Sequence, residues 1–244
     1  MSTVNTTPKA APWIMLIERL LLFLLFQLVV AGLLLLFGSS SPWEDSQGWW
    51  LLTVLATNIV TIYLLVRLQQ YEGSRYRDLF NFKRSTFWKD LLITLLILIV
   101  AIPIASFPNL WLSQLLFGSS EAPFEILFRP IPLWAALLAF LMPLTIAFAE
   151  LPTYFGYSMP RLGTSLDRPW LAWLISSFAL ALQHITIPLV LDPLFITYRF
   201  GMFLPFALFA GLCIKLRPSL LTYIVVGHAL IDLPLVLIVL NMSI

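Results

Sequence analysis

Long apolar runs recur along this chain, and they limit the folds open to it more than any other feature. Hydrophobic residues make up 60% of the 244 residues, and charged residues only 11%. A helix needs about 20 consecutive apolar residues to cross a bilayer, so runs of this length predict transmembrane helices. We therefore predict an all-α, polytopic integral membrane protein with a single domain that covers residues 1–244.

The predicted architecture has seven or eight transmembrane helices. The seven spans are residues 13–37, 49–68, 90–107, 133–157 or slightly beyond, 169–191, 202–216 and 219–240. The short apolar stretch 110–117 is either an interfacial or re-entrant eighth element or an extension of a neighbouring helix. The first span is longer than the hydrophobic region of a secretory signal, which has roughly 7–15 residues, so we expect it to remain as a membrane anchor.

Basic residues are distributed unevenly around these spans, which predicts the orientation of the chain. With seven spans, only Arg129 and Arg199 fall on one side of the membrane, and the other Lys and Arg residues fall on the opposite side. Cytoplasmic loops carry the excess of Lys and Arg, so we predict a cytoplasmic N-terminus. Glu18 and Arg19 are expected in an interfacial first turn. The basic loop 67–89 suits anionic lipid better than nucleic acid, so the expected partners include the lipid bilayer but no nucleic acid.

Four titratable residues lie inside the apolar segments: Glu150, His184, His228 and Asp232. A buried ionisable group in a membrane span is costly and usually faces a cavity or a partner, so it marks function. Asp232 follows His228 by four residues, about 40° around a helix, so the two share one face. Given a rise of about 1.5 Å per residue, Glu150, His184 and His228 lie about 18 Å, about 22 Å and about 15 Å from the cytoplasmic ends of their helices. These similar depths predict a common intramembrane site.

These side chains suffice for the attack of water on an amide. A carboxylate in an apolar pocket is suited to take a proton from water, and a neighbouring histidine can hold that water in place. A second histidine can donate to the developing oxyanion, while a carboxylate on its other nitrogen fixes its tautomer. Such a site needs no serine, cysteine or metal. The only cysteine, Cys213, is interpreted as a small residue in a helix interior.

The order and spacing of these residues resemble the CAAX-protease and bacteriocin-processing family (the CPBP or Abi group). That family carries Glu-Glu-x-x-x-Arg, then Phe-x-x-x-His, then His-x-x-x-Asn or Asp on successive membrane helices. Glu150 matches the first glutamate, and Gly-Tyr-x-x-Pro-Arg-Leu at 156–162 resembles the usual continuation of that motif. His184 matches the second motif, and His228 with Asp232 matches the third.

The resemblance implies an intramembrane endopeptidase whose family-like catalytic core covers residues 133–240. Glu150 and His184 would activate the water, and His228 with Asp232 would form or support the oxyanion site. The implied substrate is a membrane-associated peptide or protein. We expect the protein to reside in a bacterial plasma membrane.

Three positions depart from the family pattern. Leu151 replaces the second glutamate, Phe155 stands in place of the arginine, and Leu180 replaces the phenylalanine. These changes fall on supporting positions, and losing the glutamate and the arginine together avoids leaving an unpaired buried charge. Pro152 is also unusual, because it removes a backbone bond to Phe148 and is expected to kink the helix beside the catalytic glutamate.

Two alternatives concern the kind of protein. Glutamate, aspartate and two histidines could bind zinc, but the chain has no His-Glu-x-x-His pair. We therefore expect a metal-independent mechanism without a cofactor, with zinc as the lesser alternative. A non-catalytic family member acting in bacteriocin immunity, or a small proton-coupled transporter, would use the same residues differently. No inverted repeat is visible to support a transporter.

Each candidate group also has a purely structural interpretation. A lone intramembrane histidine commonly forms a hydrogen bond between helices, and His228 with Asp232 could be only a local pair. Glu150 could pair with Tyr154 and take no part in chemistry. Adjacent residues on a helix point in different directions, so Gln183 would face elsewhere than His184 and is only a weak candidate for the polar lining of the pocket. Around the site, the residues expected at the pocket mouth are Tyr154 and Tyr157, and Arg161 is expected at the cytoplasmic interface.

Overall fold

Helices account for the regular structure that surrounds the predicted site. The computed structural model describes residues 9–244; the N-terminal end, predicted to be cytoplasmic, lies outside the described residues. The α-helices are α1 (Ala11–Leu36), α2 (Pro42–Gln47), α3 (Trp50–Tyr71), α4 (Phe87–Phe117), α5 (Ala122–Leu127), α6 (Leu133–Leu138), α7 (Leu141–Leu151), α8 (Met159–Leu166), α9 (Pro169–Gln183), α10 (Pro193–Leu216) and α11 (Leu221–Ser243). Three short 3-10 helices (Tyr76–Phe80, Arg84–Thr86 and Pro218–Leu220) and a π-helix (Pro152–Ser158) complete the elements. The predicted all-α class is confirmed.

Five helical segments in the described part of the chain are long and apolar enough to cross a membrane. They contain α1, α3, α4, α10 and α11. The predicted count of seven or eight spans is not confirmed, because the fourth predicted span is divided among α6, α7, the π-helix and α8, and the fifth corresponds to the shorter α9. The apolar stretch 110–117 continues α4. Of the two predicted alternatives, it is therefore the extension of a neighbouring helix and not a separate eighth element.

The fifth and sixth predicted spans have different bounds in the structure. Helix α9 ends at Gln183, well before residue 191, and α10 begins at Pro193, well before residue 202. After Gln183 the backbone bonds tighten to an i→i−3 pattern over residues 184–187, and Pro188, which has no backbone N–H, does not continue them. Asp192 caps α10, since its Oδ1 accepts a hydrogen bond from the Leu194 N–H at 2.7 Å.

Pro152 widens the helix beside the site instead of ending it. Helix α7 continues into the π-helix Pro152–Ser158, which runs directly into α8. In an α-helix, the carbonyl of Phe148 would accept from residue 152, and a proline has no N–H to give. The Tyr76 hydroxyl donates to that carbonyl instead. Irregular turns of this kind are frequent at functional sites.

The helices around the site pack against one another in a connected set. Helices α3 and α11 pack on α7, and α10 packs on α4 and α9. Helix α1 packs on α2, α3, α9 and the π-helix. Large apolar side chains such as Leu25 on α1 and Leu96 and Ile99 on α4 stay exposed, as expected for a surface that faces lipid.

Candidate active site

The structure brings the four predicted site residues to one pocket. Glu150 on α7, His184 immediately after α9, and His228 and Asp232 on α11 all line a cavity of about 270 Å³. The Glu150 carboxylate lies between the two imidazoles, with Oε1 3.6 Å from His228 Nε2 and Oε2 3.8 Å from His184 Nε2. Glu150 is only 2% exposed, so the cluster lies in the interior of the protein.

The His184 ring is held by a hydrogen bond at its edge and by stacking on its face. Nδ1 lies 2.8 Å from the carbonyl oxygen of Leu180, so Nδ1–H donates to the backbone and Nε2 is left as an acceptor directed at Glu150. The ring stacks on Phe203 of α10, with the ring centroids 3.5 Å apart. These contacts orient the imidazole before any ligand binds.

His228 and Asp232 form the predicted pair, but not with the predicted atoms. Asp232 Oδ2 lies 3.3 Å from His228 Nε2, the same nitrogen that faces Glu150. The prediction that a carboxylate holds the other nitrogen is therefore wrong, because Nδ1 has no hydrogen-bond partner among residues 9–244. The imidazole edge that carries Nε2 is directed between two carboxylates.

Gln183 is a central polar residue of the site, which corrects the prediction that it faces elsewhere. Its Nε2 donates to Glu150 Oε2 at 2.5 Å. Its Oε1 accepts hydrogen bonds from Arg19 Nε at 2.8 Å and from the Tyr154 hydroxyl at 3.0 Å. His184 is the C-cap of α9, where the chain leaves the helix, so Gln183 and His184 both reach Glu150 from one helix end. The suggested Glu150–Tyr154 pair is mediated by the Gln183 amide.

Arg19 lies in the interior of the bundle, so the prediction of an interfacial first turn is wrong. Its residue exposure is 0%, and its Nη2 is 3.9 Å from Glu150 Oε2. The guanidinium also donates to Thr61 Oγ1 at 3.3 Å and to Asn58 Oδ1 at 3.0 Å, both on α3. Glu18 is buried too, and its Oε1 accepts from Thr61 at 2.9 Å. A buried charge is tolerated when it is paired and hydrogen-bonded, and this network supplies both.

Arg199 also lies at the site, although the sequence placed it in a loop. It lies on α10, is 5% exposed and lines the same cavity as Glu150. Its Nε donates to the His184 carbonyl oxygen at 3.2 Å, and its Nη2 donates to that of Ile187 at 2.5 Å. The longer α10 accounts for the difference, because it begins before Arg199.

The two tyrosines expected at the pocket mouth lie elsewhere. Tyr154 is fully buried behind Gln183, and Tyr157 donates to Glu72 Oε1 at 2.9 Å. Arg161 pairs with Glu72 as well and donates to the Tyr157 carbonyl oxygen at 3.1 Å. Neither tyrosine lines the cavity that holds the candidate site.

The remaining cavity wall is largely apolar. It includes Trp50 and Val54 at the start of α3, Phe124 and Leu127 on α5, and Met142 on α7. The cavity therefore extends from the ionisable cluster towards the end of the bundle that carries α5. Such a wall suits a ligand with an apolar body.

Within the described part of the chain, no group of three or more His, Cys, Asp or Glu side chains is arranged to hold a metal ion. Comparisons with protein-family models, curated proteins and solved structures find no match to this chain. The resemblance to the CAAX-protease and bacteriocin-processing family therefore remains an expectation from the motif residues alone.

Proposed function

We propose that the protein is an intramembrane endopeptidase of the CPBP type that hydrolyses a peptide bond of a membrane-associated peptide or protein. The observation that supports this proposal most directly is the buried Glu150 carboxylate between Nε2 of His184 and Nε2 of His228. A carboxylate flanked by two imidazoles in a pocket with apolar walls combines a base, a group to hold water and an oxyanion donor. Neither serine nor cysteine is needed.

Glu150 and His184 activate the water in this mechanism. The 3.8 Å between Glu150 Oε2 and His184 Nε2 is too long for a direct hydrogen bond, and a water beside the two atoms can donate to both. One water hydrogen points to the carboxylate and the other to the unprotonated Nε2. Glu150 takes the first proton as the water oxygen attacks the carbonyl carbon of the substrate.

His228 stabilises the tetrahedral intermediate. Its Nε2 lies 3.6 Å from Glu150 Oε1 and 3.3 Å from Asp232 Oδ2, and the single Nε2–H donates to the oxyanion when the intermediate forms. Glu150 then returns its proton to the amide nitrogen, the C–N bond breaks, and an amine and a carboxylic acid leave; the acid then ionises in water. Gln183 and Arg19 hold the Glu150 carboxylate through the whole cycle.

The proposed setting is a bacterial plasma membrane with the N-terminus in the cytoplasm. The basic loop 67–89 supports this orientation. In that orientation, the cavity extends from the catalytic cluster towards the outer side, where α5 and the start of α3 lie.

Reconstituted protein and a library of N-palmitoylated peptides in ¹⁸O-labelled water test the proposal. We expect cleavage products with ¹⁸O in the new carboxylate, and a rate loss of about 100-fold or more in Glu150→Gln and His184→Ala, because each removes a proton-transfer group. Glu125→Gln, an exposed glutamate on α5, is the matched control and should match the parent. Equal cleavage by all variants contradicts the proposal.

Metal dependence is tested in the same assay. Phenanthroline is expected to leave the cleavage rate unchanged, because Glu150 and His184 act directly on the water. Loss of cleavage with chelator and recovery with added zinc would replace the proposed mechanism by a zinc-dependent one.

A further inference from the structure

Arg199 is a buried cation on the wall of the pocket without an acidic partner. It is 5% exposed, and no ion pair joins it to any carboxylate of residues 9–244. The other deeply buried arginine near the site, Arg19, faces Glu150 at 3.9 Å. An arginine side chain stays charged in proteins, so Arg199 holds an uncompensated positive charge in the interior.

The Arg199 guanidinium is fixed in position by its surroundings. Nε and Nη2 donate to the carbonyl oxygens of His184 and Ile187, and the group lies over the Phe203 ring, 5.0 Å from the centroid. Among residues 9–244, the remaining nitrogen, Nη1, has only a contact with Met202 Sδ at 4.0 Å. Met202 and Phe203 line the cavity together with Arg199, so a donor with only a weak sulfur acceptor stands at the cavity wall.

The other lining residues indicate what would accept this hydrogen bond. Phe124, Leu127, Phe128 and Met142 make much of the wall apolar, which suits an apolar ligand body. In such surroundings, an anionic oxygen is the strongest partner for a guanidinium, because the hydrogen bond between them is assisted by charge. A neutral ligand would leave the buried charge uncompensated.

We propose that Arg199 binds a carboxylate on an otherwise apolar substrate and so positions the substrate against Glu150 and His184. This inference rests on the proposed function for the reaction that follows, whereas the binding itself needs no catalysis. Through its bond to the His184 carbonyl, the same guanidinium connects the bound carboxylate to the backbone of the catalytic histidine.

A pair of probes that differ only in charge tests the proposal: dodecanoyl-leucine and dodecanoyl-leucinamide. Binding is measured in nanodiscs by competition with a dansylated analogue, in a Glu150→Gln background that keeps the probes intact. We expect the acid to bind about tenfold more tightly than the amide, because only the acid compensates the Arg199 charge. Arg199→Met should reduce the ratio to about one, and Arg199→Lys should keep a preference for the acid.

Arg129→Met serves as the matched control. Arg129 does not line the cavity, and its Nη1 donates to the Glu44 carbonyl oxygen at 3.0 Å. This variant should keep the preference for the acid. If Arg199→Met weakens both probes equally, Arg199 only caps the end of α9 and the proposal is wrong; absence of any acid preference in the Glu150→Gln protein also overturns it. The two proposals can fail separately. If the protein with Glu150 intact cleaves no peptide but the preference for the acid still depends on Arg199, the proposed peptidase function is wrong and the carboxylate site is supported.

Discussion

Arg19 places a positive charge in the interior of the bundle, and the stability of that charge depends on its partners. It donates to Gln183, Thr61 and Asn58, and its Nη2 lies 3.9 Å from the Glu150 carboxylate. Removing one partner of a buried ion pair costs about 3–5 kcal/mol, because the other charge is left uncompensated. Arg19 and Glu150 should therefore depend on each other energetically, although they lie on different helices.

The substitution Arg19→Met tests that dependence. We expect the free energy of unfolding to fall by about 3 kcal/mol, because the substitution leaves the Glu150 charge without its cation. Adding Glu150→Gln should recover part of the loss, since the uncompensated carboxylate is then gone. Arg67→Met, on the exposed face of α3, is the control and should change stability little. Thermal unfolding of five detergent-solubilised proteins, namely the parent, Arg19→Met, Glu150→Gln, the double variant and the control, measures the coupling. Strictly additive losses would show that the two residues do not interact.

The sequence identified the catalytic candidates but not the residues that hold them. Glu150, His184 and His228 were predictable because each is an isolated ionisable group in an apolar run. Arg19 was not, because a basic residue near the start of a span is ordinarily interfacial. Helix α1 begins at Ala11, which places Arg19 about 12 Å into the helix, and only the polar residues of other helices make that depth tolerable.

At the scale of elements, the π-helix and α10 approach each other closely at one point. Phe155 in the π-helix is 2% exposed and packs on Gly211 of α10. A Cβ added at Gly211 would lie 2.6 Å from Phe155 Cε1 and 2.9 Å from Ser177 Oγ. Phe155 thus fills the space between helices with an apolar side chain, while the cation near Glu150 comes from α1.

Gly211→Ala should therefore push the π-helix and α10 apart beside the site. We expect a loss of about 1–3 kcal/mol in the free energy of unfolding, because the buried Phe155 ring must shift to make room. Combining it with Phe155→Leu should recover part of the loss, because the leucine lacks the ring atoms that approach the added methyl group. Gly32→Ala is the control, since no atom of residues 9–244 beyond its own stretch of helix lies within 4 Å of its added Cβ. Chemical unfolding in detergent is measured for five proteins, namely the parent, Gly211→Ala, Phe155→Leu, the double variant and the control. Equal losses at Gly211 with and without Phe155→Leu would contradict this packing.

The bounds of elements were predictable only where apolar length decides them. The predicted span at 49–68 corresponds closely to α3, because this largely apolar run contains no residue that would end the helix. Around α9 and α10 the hydropathy continues through residues 184–192, where backbone chemistry at Pro188 and Asp192 decides the ends. Gln183 was misjudged for the same reason, since helical periodicity describes side-chain directions only as long as the helix continues.

For the whole molecule, hydropathy predicted the all-α class, and the similar depths of the ionisable groups predicted that they meet. Apolar side chains covering the outside of α1 and α4 are consistent with the membrane class. The placement of Gln183, Arg19 and Arg199 around Glu150 depends on contacts between helices far apart in the chain, and a single sequence carries no signal for such contacts.

The proposed orientation gives the two ends of the bundle different access to the outside of the cell. Ser85 lies in the basic loop before α4, and Ser120 lies just before α5 at the end of the cavity; both are exposed. Cys213 is the only cysteine, so a Cys213→Ser protein accepts single reporter cysteines. Ser120→Cys and Ser85→Cys then report one end each.

Intact cells expressing these variants are treated with a membrane-impermeant maleimide. Ser120→Cys should be labelled and Ser85→Cys should not, because basic loops are retained in the cytoplasm. Permeabilised cells provide the control, since both variants should then be labelled if both cysteines are accessible. The reverse labelling pattern would place the basic loop outside and make the cavity extend towards the cytoplasm, so any peptide reaching Glu150 along it would come from the cytoplasmic side.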